Sequence, residues 1–155
     1  MGATVSTVPA ILTELVRLFA LAAPDAEVSD GQPTNNADDY IMVGFTGTPG
    51  EASVTETRDR AQMASSPDHE QYDVISLVSG WHGSEDDAAA IAAARARAYE
   101  LVGVMAAELA RDQTLGRRVL SARLTSGNLT QYLSDGGASA DVQVVISVDA
   151  FTRRN

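Results

Sequence analysis

The chain has 155 residues, a formal charge of -10, 45% hydrophobic residues and no cysteine. That length and apolar content fit a single globular domain with a real core, and the missing cysteine removes disulfide frameworks, thiolate metal sites and cysteine nucleophiles. All 11 basic residues are Arg, and with a pI of about 4.4 there is no basic stripe to neutralise phosphates, which argues against a direct reader of DNA or RNA.

From the N-terminus, Ile11, Leu12, Leu15, Val16, Phe19 and Ala22 fall at the spacings of an amphipathic helix over residues 8 to 22, with Pro9 tolerated in its first turn. Glu14 and Arg17 interrupt the run and no basic residue precedes it, so it fits neither a signal peptide nor a membrane span, and a soluble, untargeted chain is expected. "APDAEVSDG" closes the helix, and Val28 opens a short strand ending at Asp30 and Gly31. "DDYIMVGF" is a compact β-type run. Residues 46 to 70 are rich in Gly, Pro, Ser and scattered charge without a lasting period, which predicts a long mobile loop of the kind that orders against a partner.

"QYDVISLVSGW" resumes the strand pattern with apolar residues on both faces, predicting a central strand covered on both sides. Residues Glu85 to Arg111 form the strongest helical stretch, its buried stripe running through Ile91, Ala94, Ala98, Leu101, Val102, Met105 and Leu109. "VLSARL" and "LTQYL" follow as strand, broken at "SGN", and "SDGG" supplies a hairpin turn. The final strand alternates, with Val142, Val144, Ile146, Val148 and Ala150 on one side. One helix, three strands, one long helix and two strands predict an α+β fold over residues 1 to 155: a mostly antiparallel β-sheet packed against two helices.

The stretch "GWHGSEDDAAAIAAARARAYELV" raises the one serious question of chemistry, because it sets His82 close to Glu85, Asp86 and Asp87. Consecutive carboxylates on a helix point around it rather than at one ligand, so the pattern reads as a variant capping box with Ser84 as the cap and Asp87 its acidic partner. Trp81 beside Val, Ile and Leu reads as core. His69, between Asp68 and Glu70, reads as an exposed loop histidine, with no nucleophile-elbow motif to anchor a Ser-His-Asp triad. "GTPGE" lacks the Lys-Ser/Thr of a phosphate loop. No complete catalytic, cofactor-binding or metal-ligating set is present in the pattern, and a non-enzymatic role without a cofactor is expected.

The phrase "VSGWHGSEDDAAAIAAARARAYELVGVMAAELARDQTLGRRVLSARL" resembles the second half of tail terminator proteins of long-tailed bacteriophages of actinobacteria. In that family a strand ending in Trp leads through a Gly and a polar turn into an "AAARARA" helix, and a D-x-T-L-G turn follows, here Asp112, Thr114, Leu115 and Gly116. The opening is similar too, with a helix, a strand and a DG-x-P turn at Asp30, Gly31 and Pro33. The segment "RDRAQMASSPDHEQYDV" departs from the family pattern.

The resemblance implies a virion protein of the neck, assembled in the host cytoplasm: a six-fold ring of identical chains that caps the tail tube protein, stops its polymerisation and offers a joining surface to the head-tail connector protein. Genomic DNA would pass through the lumen without sequence-specific binding, and an acidic wall would keep it from sticking. Arg58, Arg60, Asp68 and Glu70 are the candidate residues for contacts between copies or with the tube. Another head- or tail-completion module of the neck and, more distantly, a small metal-dependent enzyme using His82 or His69 are the alternatives.

Overall fold

A computed structural model describes residues 5–59 and 68–152. Helix α1 (Val8–Ala22) is followed by strands β1 (Glu27–Asp30), β2 (Tyr40–Val43), β3 (Val54–Asp59) and β4 (His69–Gly83), then helix α2 (Asp87–Arg111) and the hairpin β5 (Ser121–Ser134) and β6 (Gly137–Phe151). The six strands form one sheet in the order β1-β2-β4-β6-β5, with β3 pairing to the lower half of the β4 edge that β2 shares above it. Only β1 and β2 are parallel; every other pair is antiparallel. The α+β expectation therefore holds.

Both helices pack on one face. α1 buries Ile11, Leu15 and Phe19, a spacing of four that keeps one stripe turned to the sheet. α2 buries Ala90, Ala94, Ala98, Leu101, Met105 and Leu109. Its alanines bring backbone against backbone: a Cβ built on Gly80 of β4 would lie 2.7 Å from the Ala94 carbonyl oxygen and 2.9 Å from the Ala98 nitrogen. Gly at that strand position is what lets α2 sit so low. The opposing layer is Val74 and Val78 of β4 with Val142, Val144, Ile146 and Ala150 of β6, all fully buried, and each such Val or Ile side chain contributes roughly 1.5–3 kcal/mol when fully buried.

Four expectations are corrected. The segment 46 to 70 is not an unbroken loop: β3 occupies Val54–Asp59 and β4 begins at His69. Its pattern, "VTETRD", is too polar to announce a strand because every residue after Val54 is exposed. Strand β4 is covered by helices on one face only; on the other, the 44–53 connection folds partly across it, with Gln143 donating to the Thr46 carbonyl at 3.0 Å and Gly47 lying against Leu77. Strand β5 is continuous through "SGN", its irregularity being a one-residue bulge between Leu124 and Ser126. Trp81 is 37% exposed and rests over Gly83 and Gly137, whose added Cβ atoms would strike its ring.

Candidate assembly surface

The residues expected to make contacts between copies cluster where the chain enters α1. Arg58 in β3 and Glu70 in β4 are direct register partners, and both are engaged within the subunit. The Glu70 Oε1 atom accepts from the Thr7 N–H at 2.7 Å and from the Thr7 hydroxyl at 2.5 Å. Thr7 is the N-cap of α1 and makes no capping bond with its own side chain; a carboxylate from a distant strand instead holds the cap residue's own N–H and sets negative charge at the positive end of the helix. Glu70 is fully buried, and its Oε2 has no hydrogen-bond partner among the described residues.

Around this centre the Arg58 guanidinium donates to the Val5 carbonyl and, at 2.9 Å, to Glu56, and the bond to Glu56 holds the Arg58 pKa above its ordinary value. Ser6 donates to Glu56 at 3.4 Å. Tyr72, one alternation along from Glu70, meets the Thr7 hydroxyl at 2.9 Å; burial pushes its phenol up to about 12, the Thr7 bond opposing in part. Residues 5–7 are thus strapped over β3 and β4. Asp68 ties the start of β4 to the end of β6: its N–H donates to the Thr152 hydroxyl at 3.1 Å and its carbonyl accepts from the Thr152 N–H at 3.0 Å. Arg60 lies outside the described residues.

His69 is in β4 rather than a loop, with its ring on the Asp149 carboxylate and 5.3 Å from the Phe151 ring. Ser121 pairs with Asp149, not with His69, and no hydroxyl is bonded to the His69 ring among the described residues. His82 is exposed at the far end of β4. The helix cap also moves. Asp86, not Ser84, is the N-cap of α2, its Oδ1 accepting from the Ala89 N–H at 3.2 Å. Ser84 sits two residues earlier, accepting from the Asp86 N–H at 3.1 Å, and Asp87 lies in the first turn. Ser84 cannot reach the first turn because β4 continues to Gly83 and the helix starts only at Asp87.

Two polar centres had no clear signal in the sequence. Arg97 on α2 contacts Asp39, Asp25 and Glu100, each at 2.8 Å, and Asp39 also accepts from the Trp81 N–H at 3.3 Å. The Asp39 bond is the main cause of the raised Arg97 pKa. The Asp112 carboxylate accepts from the Thr114 hydroxyl and from the N–H groups of Thr114 and Gly116, which together hold its pKa below the ordinary value. This staple supports the left-handed run Leu115, Gly116 and Arg117, and Leu115 is driven into the core. The D-x-T-L-G spacing was visible; its hydrogen-bond logic was not.

An open cleft of about 370 Å³ lies on the uncovered face, lined by residues that include Thr57, Asp73, Ser121, Arg123 and Asp149. No group of three or more His, Asp or Glu able to hold a metal occurs among the described residues, and no described helix is long and apolar enough to cross a membrane.

No protein-family model and no curated protein sequence matches the chain. Its fold is shared with a solved chain from a structure described as the virion of a native gene transfer agent (GTA) particle. The two are 16% identical with a TM-score of 0.53, over 90% of this chain and 91% of that one. At that identity the likeness is one of fold.

Proposed function

We propose that the chain is a structural component of a phage-like virion, and more specifically a tail terminator: a six-fold ring of identical chains that caps the tail tube, ends its polymerisation and presents a joining surface to the head-side connector. The observation that carries this reading is the near full-length fold match to a chain of a virion particle, which agrees with the spacing resemblance running from Val8 to Leu124. The charge of -10 suits a conduit through which DNA slides without adhering, since it offers few cations whose binding would release counterions. Glu70 and Arg58 serve this role indirectly, by fastening the N-terminal segment within the subunit; Asp68 and Arg60 remain candidates for direct contact. The role needs no catalysis and no cofactor.

The test is genetic and visual. Particles lacking this chain should carry tails of uncontrolled length that fail to join heads, and the purified protein should appear as rings on the ends of isolated tubes in negative stain. Tails of normal length joined to filled heads in its absence would refute the assignment.

A further inference from the structure

We infer that copies of this chain join side by side through the sheet, the free edge of β5 pairing with β1 of the next copy. The proposal deepens the ring reading and rests on it only for the number of copies that close the circle.

The argument starts from backbone groups without partners. The hairpin closes on the pair Ser134–Gly137, which turns the N–H and C=O of Ser134 towards β6. By alternation those of Leu133, Gln131, Leu129 and Gly127 face outward. At the lower end the outward N–H of Ala122 is taken by the Gln113 carbonyl at 2.8 Å, and the bulge at Thr125 interrupts the edge. Above the bulge nothing caps it among the described residues. From Ser126 to Ser134 the strand has no charge and no proline, and Tyr132 and Leu133 are 48% and 49% exposed. Natural edge strands are usually short, charged, bulged or covered; this stretch has none of those protections.

The opposite edge supplies the match. In β1 the N–H of Glu27 and, just beyond it, of Gly31 bond to the β2 side, so the groups of Val28 and Asp30 point away from the sheet. The register places both free edges at one height: Glu27 pairs Tyr40, Tyr40 pairs Ser79, Ser79 pairs Asp141 and Asp141 pairs Thr130. Direction agrees as well. β1 is parallel to β2, which is antiparallel to β4, whereas β5 and β4 are both antiparallel to β6. β1 and β5 therefore run oppositely, and two copies standing side by side with the same polarity bring them together as an antiparallel pair. Charge favours the contact: β1 carries Glu27 and Asp30 and no base, the facing stretch of β5 from Ser126 to Ser134 carries no acid to repel them, and Arg95 leans on Gln131 at 2.9 Å. Such a contact is heterologous, β5 to β1 and onward, and repeated by rotation it closes a ring.

The cysteine-free chain makes the test direct. The double variants Ser29→Cys/Thr130→Cys and Ser29→Cys/Asn128→Cys, oxidised at raised protein concentration, should give a ladder of covalent oligomers that each single variant does not. Gln131→Pro removes an outward N–H without touching the β5–β6 ladder. It should leave subunit melting within a few degrees of the parent and abolish the oligomers that the parent chain should form in light scattering. Monomers only in both double variants, dimers from Thr130→Cys alone, or full assembly of a folded Gln131→Pro protein would each overturn the edge pairing. Six-fold rings without a β1–β5 crosslink would sink this proposal and spare the ring; a crosslinked ladder that grows into open filaments would do the reverse.

Discussion

Glu70 caps a helix that begins on the other side of the sequence: its carboxylate takes both the backbone N–H and the hydroxyl of Thr7. Replacing it by Ala leaves the Thr7 N–H without an acceptor inside a closed site, an error that costs about 2 kcal/mol. Gln keeps one oxygen for Thr7 but loses the charge facing the helix end, and should fall between the two. Urea unfolding of the three proteins should give that order; an unchanged midpoint in Glu70→Ala would show the strap to be idle.

Tyr72 gives a pH dependence with a clean background, because every basic side chain is Arg and the four tyrosines are the main groups titrating in alkali. The Tyr72 phenol is raised from 10.0 to about 12 by burial, so above pH 10 the unfolded chain loses a proton that the folded one keeps. Stability is fully present below the unfolded value, falls between about 10 and 12, and levels off beyond, for a loss of about 2–3 kcal/mol. Tyr72→Phe should flatten that slope, and one of four tyrosinate signals should appear late in the parent. A Phe variant with the same alkaline profile would remove Tyr72 as the cause.

The start of α2 separates two neighbouring residues. Asp86→Ala should destabilise by about 1 kcal/mol through loss of the bond to Ala89. Ser84→Ala removes only the bond to the Asp86 N–H, outside the helix, and should cost less. Equal losses in thermal melts would return the cap to Ser84.

Arg97 joins α2 to the loops on both sides of β1 through Asp25 and Asp39. With its side chain 19% exposed and that of Asp39 16%, the contact is shielded enough for Arg97→Ala to cost about 2 kcal/mol. Lys cannot reach three carboxylates in a plane and should recover less than half. Hydrogen exchange should quicken in β2 ahead of β6; uniform change across the sheet would point to a global effect instead.

The elements legible in the sequence were those with one apolar face. The α1 stripe and the alternation of β6 follow directly from burial of Ile11, Leu15 and Phe19 and of Val142 to Ala150. Strand β3 was illegible because an edge strand held by backbone bonds need not bury side chains, and Thr55, Glu56 and Thr57 bury none. The candidate site was half legible. Arg58, Asp68 and Glu70 were picked out as a charged group, but only the register that sets Glu70 beside Arg58 and beneath Thr7 shows that two of them face inward to the same subunit. A buried acid sixty-three positions from its partner leaves no local trace.

The bulge at Thr125 acts as a phase corrector. Below it, Ala122 and Leu124 face the helices; above it, Leu129 and Gln131 do, so the inward set changes from even to odd positions. The same run of residues, Thr125 included, paired without a bulge could satisfy only one half of this hairpin. Deleting Thr125 itself would set Ser126 on Val145 directly beside Leu124 on Ile146, a regular ladder in which Ala122, Leu124 and Leu129 still face the helices, whereas one more residue inserted there would need a second bulge or would turn Ala122 outward. Loss of one residue at the bulge is therefore tolerated where gain of one is not, and among natural variants of this chain the spacing from Ala122 to Leu129 should be kept or shortened by one, never lengthened.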